Sequence, residues 1–166
     1  MNPFKPTLVK LVMNTVSIEE IIQLVLDEHD GVVVGENWGE RGLFYNPGLV
    51  LPKGVYILTF KEKDGDNDSA SNLNRPNTYR LNLKVQKQDY IERFGEIPTR
   101  PAAGNIVDTG HDFTMSNVIM PHPVYAWMTW ICINNPESDR LEDLTSLIKD
   151  AHRMAMKKFK QRTKNL

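Results

Sequence analysis

The chain has 166 residues, 40% of them hydrophobic and 25% charged, with a formal net charge of −1. That length favours one domain with a real hydrophobic core, and the near-zero balance removes bulk charge as an argument for a nucleic-acid partner. One cysteine, Cys132, excludes an internal disulfide and a cysteine-rich zinc site and fits a reducing compartment.

In chain order, the opening "MNPFKPTLVKLVM" has a short apolar run broken by lysine, which does not make a secretory signal. No stretch approaches the roughly 18 apolar residues of a bilayer span, so the expectation is a cytoplasmic protein without a membrane association. "SIEEIIQLVLDEH", Ser17 to His29, repeats Ile18, Ile21, Ile22, Val25 and Leu26 at helical spacing. Ser17 and Glu20 form a capping box at its start, and Asp30-Gly31 ends it. Two short strands follow, Val32–Val34 and Leu43–Tyr45, with the polar "GENWGERG" as the loop between them. Asn46-Pro47-Gly48 is a turn. "GVYILTFKE" is apolar on both faces and belongs inside a sheet. "TYRLNLKV" alternates: Tyr79, Leu81, Leu83 and Val85 point inward, while Arg80, Asn82 and Lys84 point to solvent.

The polar segment "KDGDNDSASNLNRPN" is too long for a tight hairpin, and such loops are commonly functional or mobile. "KQDYIERFG" is a short helix closed by Gly95, and "EIPTRPAAGNIVDTG" is a second long connection. "VYAWMTWICI", Val124 to Ile133, reads as a buried strand, with Tyr125, Trp127, Met128 and Trp130 as core residues. The last element, "SDRLEDLTSLIKDAHRMAMKKFK", is a long helix with Leu141, Leu144, Leu147, Ile148, Ala151, Met154, Ala155 and Phe159 on its apolar stripe. Strands that succeed one another without helical crossovers predict an α+β fold. The expected domain spans residues 1–166: a mostly antiparallel sheet packed by the first and last helices, with a frayed basic tail from about residue 160.

Few motifs carry chemistry. Asp64, Asp66 and Asp68 begin like a calcium loop, but Ser69 stands at the sixth position and Arg75 at the twelfth, so a solvated acidic loop is the plainer reading. His111, Asp112 and His122 are candidate catalytic residues, a base with its orienting carboxylate, and Asp108 could join them. Against that, Asp108 and Asp112 suit turn caps, and His122 sits between two prolines. No Walker loop, dinucleotide fingerprint or serine elbow is present, and no metal or cofactor is expected. Seven lysines and arginines against Asp150 from Lys149 to Leu166 could touch phosphates, but they equally suit a helix C-terminus.

"WGERGLFYNPG", "DGDNDSASNLNRPNTYRLNL", "AAGNIVDTGHDFT" and "MPHPVYAWMTWICINNP" resemble a family of uncharacterised, mainly bacterial proteins, domain of unknown function number 6194. The resemblance implies a single cytoplasmic domain and transfers no catalytic residue. The helix, tryptophan-glycine segment, strand series and last helix are more distantly similar to the MmcQ/YjbR-like proteins, an α+β family proposed to bind DNA. The favoured function is binding of a small polar or anionic molecule where the two long loops meet the sheet. Trp38, Arg75 and Asp108 would serve as ligand-binding residues beside His111, Asp112 and His122. The alternatives are an enzyme using His111 or His122 with Asp112, and a nucleic-acid module on the basic helix, the less favoured of the two. A homodimer stays open.

Overall fold

The computed structural model describes residues 14–166; the opening segment assessed for a signal lies outside the described residues. Helix α1 (Ile18–Glu28) starts as its sequence dictates. Ser17 Oγ accepts the Glu20 backbone N–H at 3.1 Å, and Glu20 Oε2 accepts that of Ser17 at 2.7 Å, satisfying two donors left over at the helix start. Strands β1 (Val32–Asn37), β2 (Glu40–Tyr45), β3 (Val55–Lys61) and β4 (Arg80–Lys84) precede helix α2 (Lys87–Phe94). Strands β5 (Ile119–Pro121) and β6 (Trp130–Asn134) lead to helix α3 (Leu141–Arg162). The six strands form one sheet in the order β1-β2-β3-β4-β6-β5, antiparallel throughout. This is the α+β architecture expected.

Both long helices cover the same face of that sheet. Arg41 and Tyr45 are four apart on β2 and so point the same way. Arg41 pairs with Glu19 of α1 at 2.8 Å, while the Tyr45 ring meets His152 and Phe159 of α3 edge-on. Leu144, Leu147, Ile148, Ala151 and Ala155 of α3 pack onto Leu43, Leu58, Leu81, Leu83, Ile131 and Ile133 of the sheet in one core. His29, which caps α1, lies with its ring centroid 4.6 Å from that of His152, whose Nε2–H donates to Asp30 O at 3.1 Å. Among the described residues, no helix is long and apolar enough to cross a membrane.

The opposite face departs from expectation, and the candidate site lies there. The segment expected as a polar loop between β1 and β2 is mostly strand. Asn37 pairs with Glu40, leaving Trp38-Gly39 as a two-residue hairpin loop. Their φ values of 56° and 75° are those of a type I′ turn, whose twist matches that of the strands. Gly35 and Gly42 are cross-strand partners with the Phe44 ring laid against them. A Cβ on Gly35 would stand 3.0 Å from the ring, and one on Gly42 would stand 3.1 Å from both the ring and Leu58 O.

Val124–Ile133 is not one strand. His122 Nδ1 accepts the N–H groups of both Val124 and Tyr125, and Ala126 N–H returns to His122 O. The chain thus makes a single 3-10 turn, Ala126–Met128, then a left-handed Thr129 (φ 64°), before β6 begins at Trp130. Tyr125 is exposed and Trp127, Met128 and Trp130 are half-buried, so they are not the core expected of them. Trp127 instead carries the Arg100 guanidinium 4.9 Å from its ring centre. The short edge strand β5 has no sequence signature beyond three apolar residues; it pairs Pro121 with Ile131 and Met120 with Cys132. The Cys132 thiol donates to Pro121 O at 3.5 Å, and burial pushes its pKa up to about 12.

Candidate functional site

Strand β4 places the central residue. Its alternation predicts Arg80 and Asn82 in solvent, yet Arg80 is 1% exposed and Asn82 2%. The physical reason is the polar segment 62–79, which folds back across this face instead of standing away from it. Asp68 takes Arg80 Nη1 at 3.0 Å and Nη2 at 2.5 Å, a two-pronged carboxylate contact. Ser71 Oγ accepts from Nη1 at 2.9 Å and Asn82 Oδ1 from Nε at 2.7 Å. Burial works against the charge of Arg80, but the hydrogen bonds and charge of Asp68 outweigh it and hold the guanidinium's pKa above its ordinary value.

The second nitrogen of that guanidinium lies 3.1 Å from His122 Nε2. His122 is 3% exposed. Its pKa lies well below the ordinary imidazole value, first because burial disfavours the charged form, then because Arg80 and Lys61 repel it. The imidazole is therefore neutral, with Nδ1 committed to the N–H groups of Val124 and Tyr125, each at 3.0 Å.

Above this floor lies a cleft of about 710 Å³. Trp38, Tyr56, Tyr125 and Trp130 supply aromatic surface along it, and Asn37 Nδ2 donates to the Tyr56 hydroxyl to join the hairpin tip to β3. Lys61, whose Nζ is 2.7 Å from Glu40 Oε1, lines the other side together with Asp66, Asp68 and Asn82. The walls are thus apolar rings, and the floor carries directed donors and acceptors, the usual composition of a small-molecule site.

Comparison with protein families matches residues 14–164 to a family of unknown function, DUF6194. The chain belongs to DUF6194. No curated protein and no solved structure matches it, and the distant similarity to MmcQ/YjbR-like proteins finds no support in the comparisons.

The DUF6194 domain distributes the candidate residues over four places. Trp38 and His122 line the cleft. Arg75 does not; its guanidinium donates to the backbone carbonyls of Asn72, Ser71 and Thr114 at 2.8, 3.2 and 3.0 Å, tying the two long connections together. His111 and Asp108 line a separate hollow of about 420 Å³ with Tyr90, Phe94 and Thr109. There His111 Nδ1 lies 3.0 Å from Thr109 Oγ1, and its ring meets Phe94 edge-on. Asp112 caps its own turn, accepting from Thr114 N–H at 3.0 Å and Thr114 Oγ1 at 2.6 Å, bonds that hold its pKa below the ordinary carboxylate value. The base-and-orienter arrangement of His111, Asp112 and His122 is not assembled, since each has other partners in a different setting.

Two members of the acidic triplet are likewise occupied by the protein. Asp64 Oδ1 accepts from Leu73 N–H at 2.8 Å, and Asp68 holds Arg80. Among the described residues, no group of three or more histidine, cysteine, aspartate or glutamate side chains is placed to hold a metal ion. Sequence reasoning overlooks Arg80, Asp68, Tyr56 and Asn82. The signal that points to them is the length of the polar segment before β4. A segment that long returning to an adjacent strand has the reach to fold across one face of the sheet, and the polar side chains of β4 are those it can cover.

Proposed function

We propose that the DUF6194 domain binds a small polar ligand in the cleft on the face of its sheet opposite α1 and α3. The observation that carries this reading is Trp38. It is 94% exposed and sits at φ 56° in a turn position that asparagine and glycine favour. A bulky side chain in the left-handed region costs roughly 1–2 kcal/mol, and this indole recovers none of it by burial. A residue that is both strained and unburied contributes nothing to folding, and its ring stands at the rim of the cleft. Strain of this kind gathers at ligand-contacting positions. His122 supports binding over catalysis, because Nδ1, the lone pair a general base would need, is taken up by two backbone donors.

Trp38→Asn separates the two roles of this position. Asparagine suits the turn, so the variant is expected to melt at or slightly above the wild-type temperature. In a thermal-shift screen of polar metabolites, wild type is expected to gain a few degrees with at least one compound, because binding to the native state stabilises it, and the variant to gain none. A compound that shifts both proteins equally, or a broad screen that shifts neither, would count against the cleft.

A further inference from the structure

We infer that the ligand of this cleft is an uncharged ring molecule that presents a hydroxyl or carbonyl oxygen to a donor pair, His122 Nε2–H and Arg80 Nη2–H. The inference rests on the binding reading of the same cleft and specifies its chemistry.

Proton counting fixes the tautomer of His122. A neutral imidazole has one N–H and one acceptor nitrogen. Two backbone N–H groups converge on His122 Nδ1 at 3.0 Å, so Nδ1 is the acceptor and the proton sits on Nε2. Nε2 then faces Arg80 Nη2 at 3.1 Å, and a guanidinium nitrogen can only donate. The other Arg80 donors are taken by Asp68, Ser71 and Asn82. Among the described residues, two N–H groups are left side by side without an acceptor, on side chains that are 97% and 99% buried, the complements of their 3% and 1% exposure. Moving the proton to Nδ1 would let Nε2 accept from Arg80 but would leave three donors unpartnered in place of two: the N–H groups of Val124 and Tyr125 and the new Nδ1–H. A buried donor without a partner costs about 1–3 kcal/mol, and both residues line the cleft. One oxygen seated against the pair satisfies both.

Charge and shape narrow the class. Among the described residues lining the cleft, Lys61 and Arg80 are the cations and Glu40, Asp66 and Asp68 the carboxylates. Each cation is already paired, Lys61 with Glu40 and Arg80 with Asp68. An anionic ligand meets an excess of negative charge and no unpaired cation there. A cationic one meets two donors where it needs an acceptor. A neutral oxygen avoids both penalties. Trp38, Tyr125 and Trp130 offer aromatic faces for the flat side of a ring, with Tyr125 5.0 Å from His122. Saccharides and nucleosides both combine such a ring with neutral oxygens.

The test uses the full chain labelled with ¹⁵N-histidine. The imidazole nitrogens of His122 are read by NMR between about pH 5.5 and 8, alone and with glucose, glucuronate, glucosamine, uridine and uridine monophosphate. The free protein is expected to hold His122 as the neutral Nε2–H tautomer across that range. Glucose or uridine should shift the Nε2–H signal and quench tryptophan fluorescence, and the acidic counterpart should bind at least about tenfold more weakly. An Nδ1–H tautomer, tighter binding of the acid or the amine, or binding of a neutral compound that leaves His122 unmoved would each overturn the ligand class while sparing the cleft. A panel that moves neither His122 nor any tryptophan would overturn the class together with the binding reading.

Discussion

Arg80 illustrates how a single buried charge organises a face of this protein. Its compensation is concentrated in one residue, Asp68, whose side chain is itself only 17% exposed. Removing one partner of such a pair leaves the other charge uncompensated, which typically costs about 3–5 kcal/mol. Asp68→Asn is therefore expected to destabilise the fold by about 3 kcal/mol in urea unfolding, with Ser71 and Asn82 retaining part of the hydrogen bonding. A loss under about 1 kcal/mol, the range of an exposed pair, would show that solvent already reaches the guanidinium. Trp38 is the converse case, a large apolar group left in water. The two residues explain each other if the cleft is occupied in use: one sets the floor, the other the rim.

At the scale of elements, the hairpin β1–β2 owes its reach over the cleft to the glycine pair beneath Phe44. Gly42→Ala would place a methyl group 3.1 Å from Leu58 O, a backbone atom with little freedom to move. Overpacking of this kind costs about 1–3 kcal/mol, and here it should also displace the turn. The expected result is lower stability together with altered Trp38 fluorescence; a stable variant with native fluorescence would free the hairpin from this constraint. Sequence is informative where the determinants of an element are local. The capping box of α1, the apolar stripe of α3 and the inward set Tyr79, Leu81, Leu83 and Val85 were all legible, because each depends on residues a few positions apart. The turn at Val124–Thr129 was not, because it depends on the ring of His122 intercepting two backbone donors. Nor was the burial of Arg80, which is decided by where residues 62–79 lie. Of the candidate site residues, Trp38 and His122 reach the cleft, whereas Arg75, His111 and Asp108 serve other places. Spacing along the chain carries no record of such long-range placement.

Over the whole molecule, two histidines, the buried His122 and the half-buried His29, link folding to acidity. His122 and His29 both have pKa values below the ordinary 6.5. For His29 the causes are burial, then the neighbouring His152, with Lys149 adding to them and Glu28 opposing. Below pH 6.5 the unfolded chain takes up protons that the folded chain refuses, so stability is complete above that pH and declines as the pH falls. Urea midpoints at about pH 7.5 and 5 should differ in that direction; equal midpoints would mean that these imidazoles protonate without leaving their packing. Cys132, the one thiol of the chain, sits where the short strand β5 closes over β6. As long as that closure holds, alkylating reagents meet neither an accessible sulfur nor a thiolate. Its labelling rate is therefore a clock for the detachment of β5. His122 immediately follows β5 in the chain, so a compound seated against it should slow the clock, which would report occupancy of the cleft through the protein's own thiol.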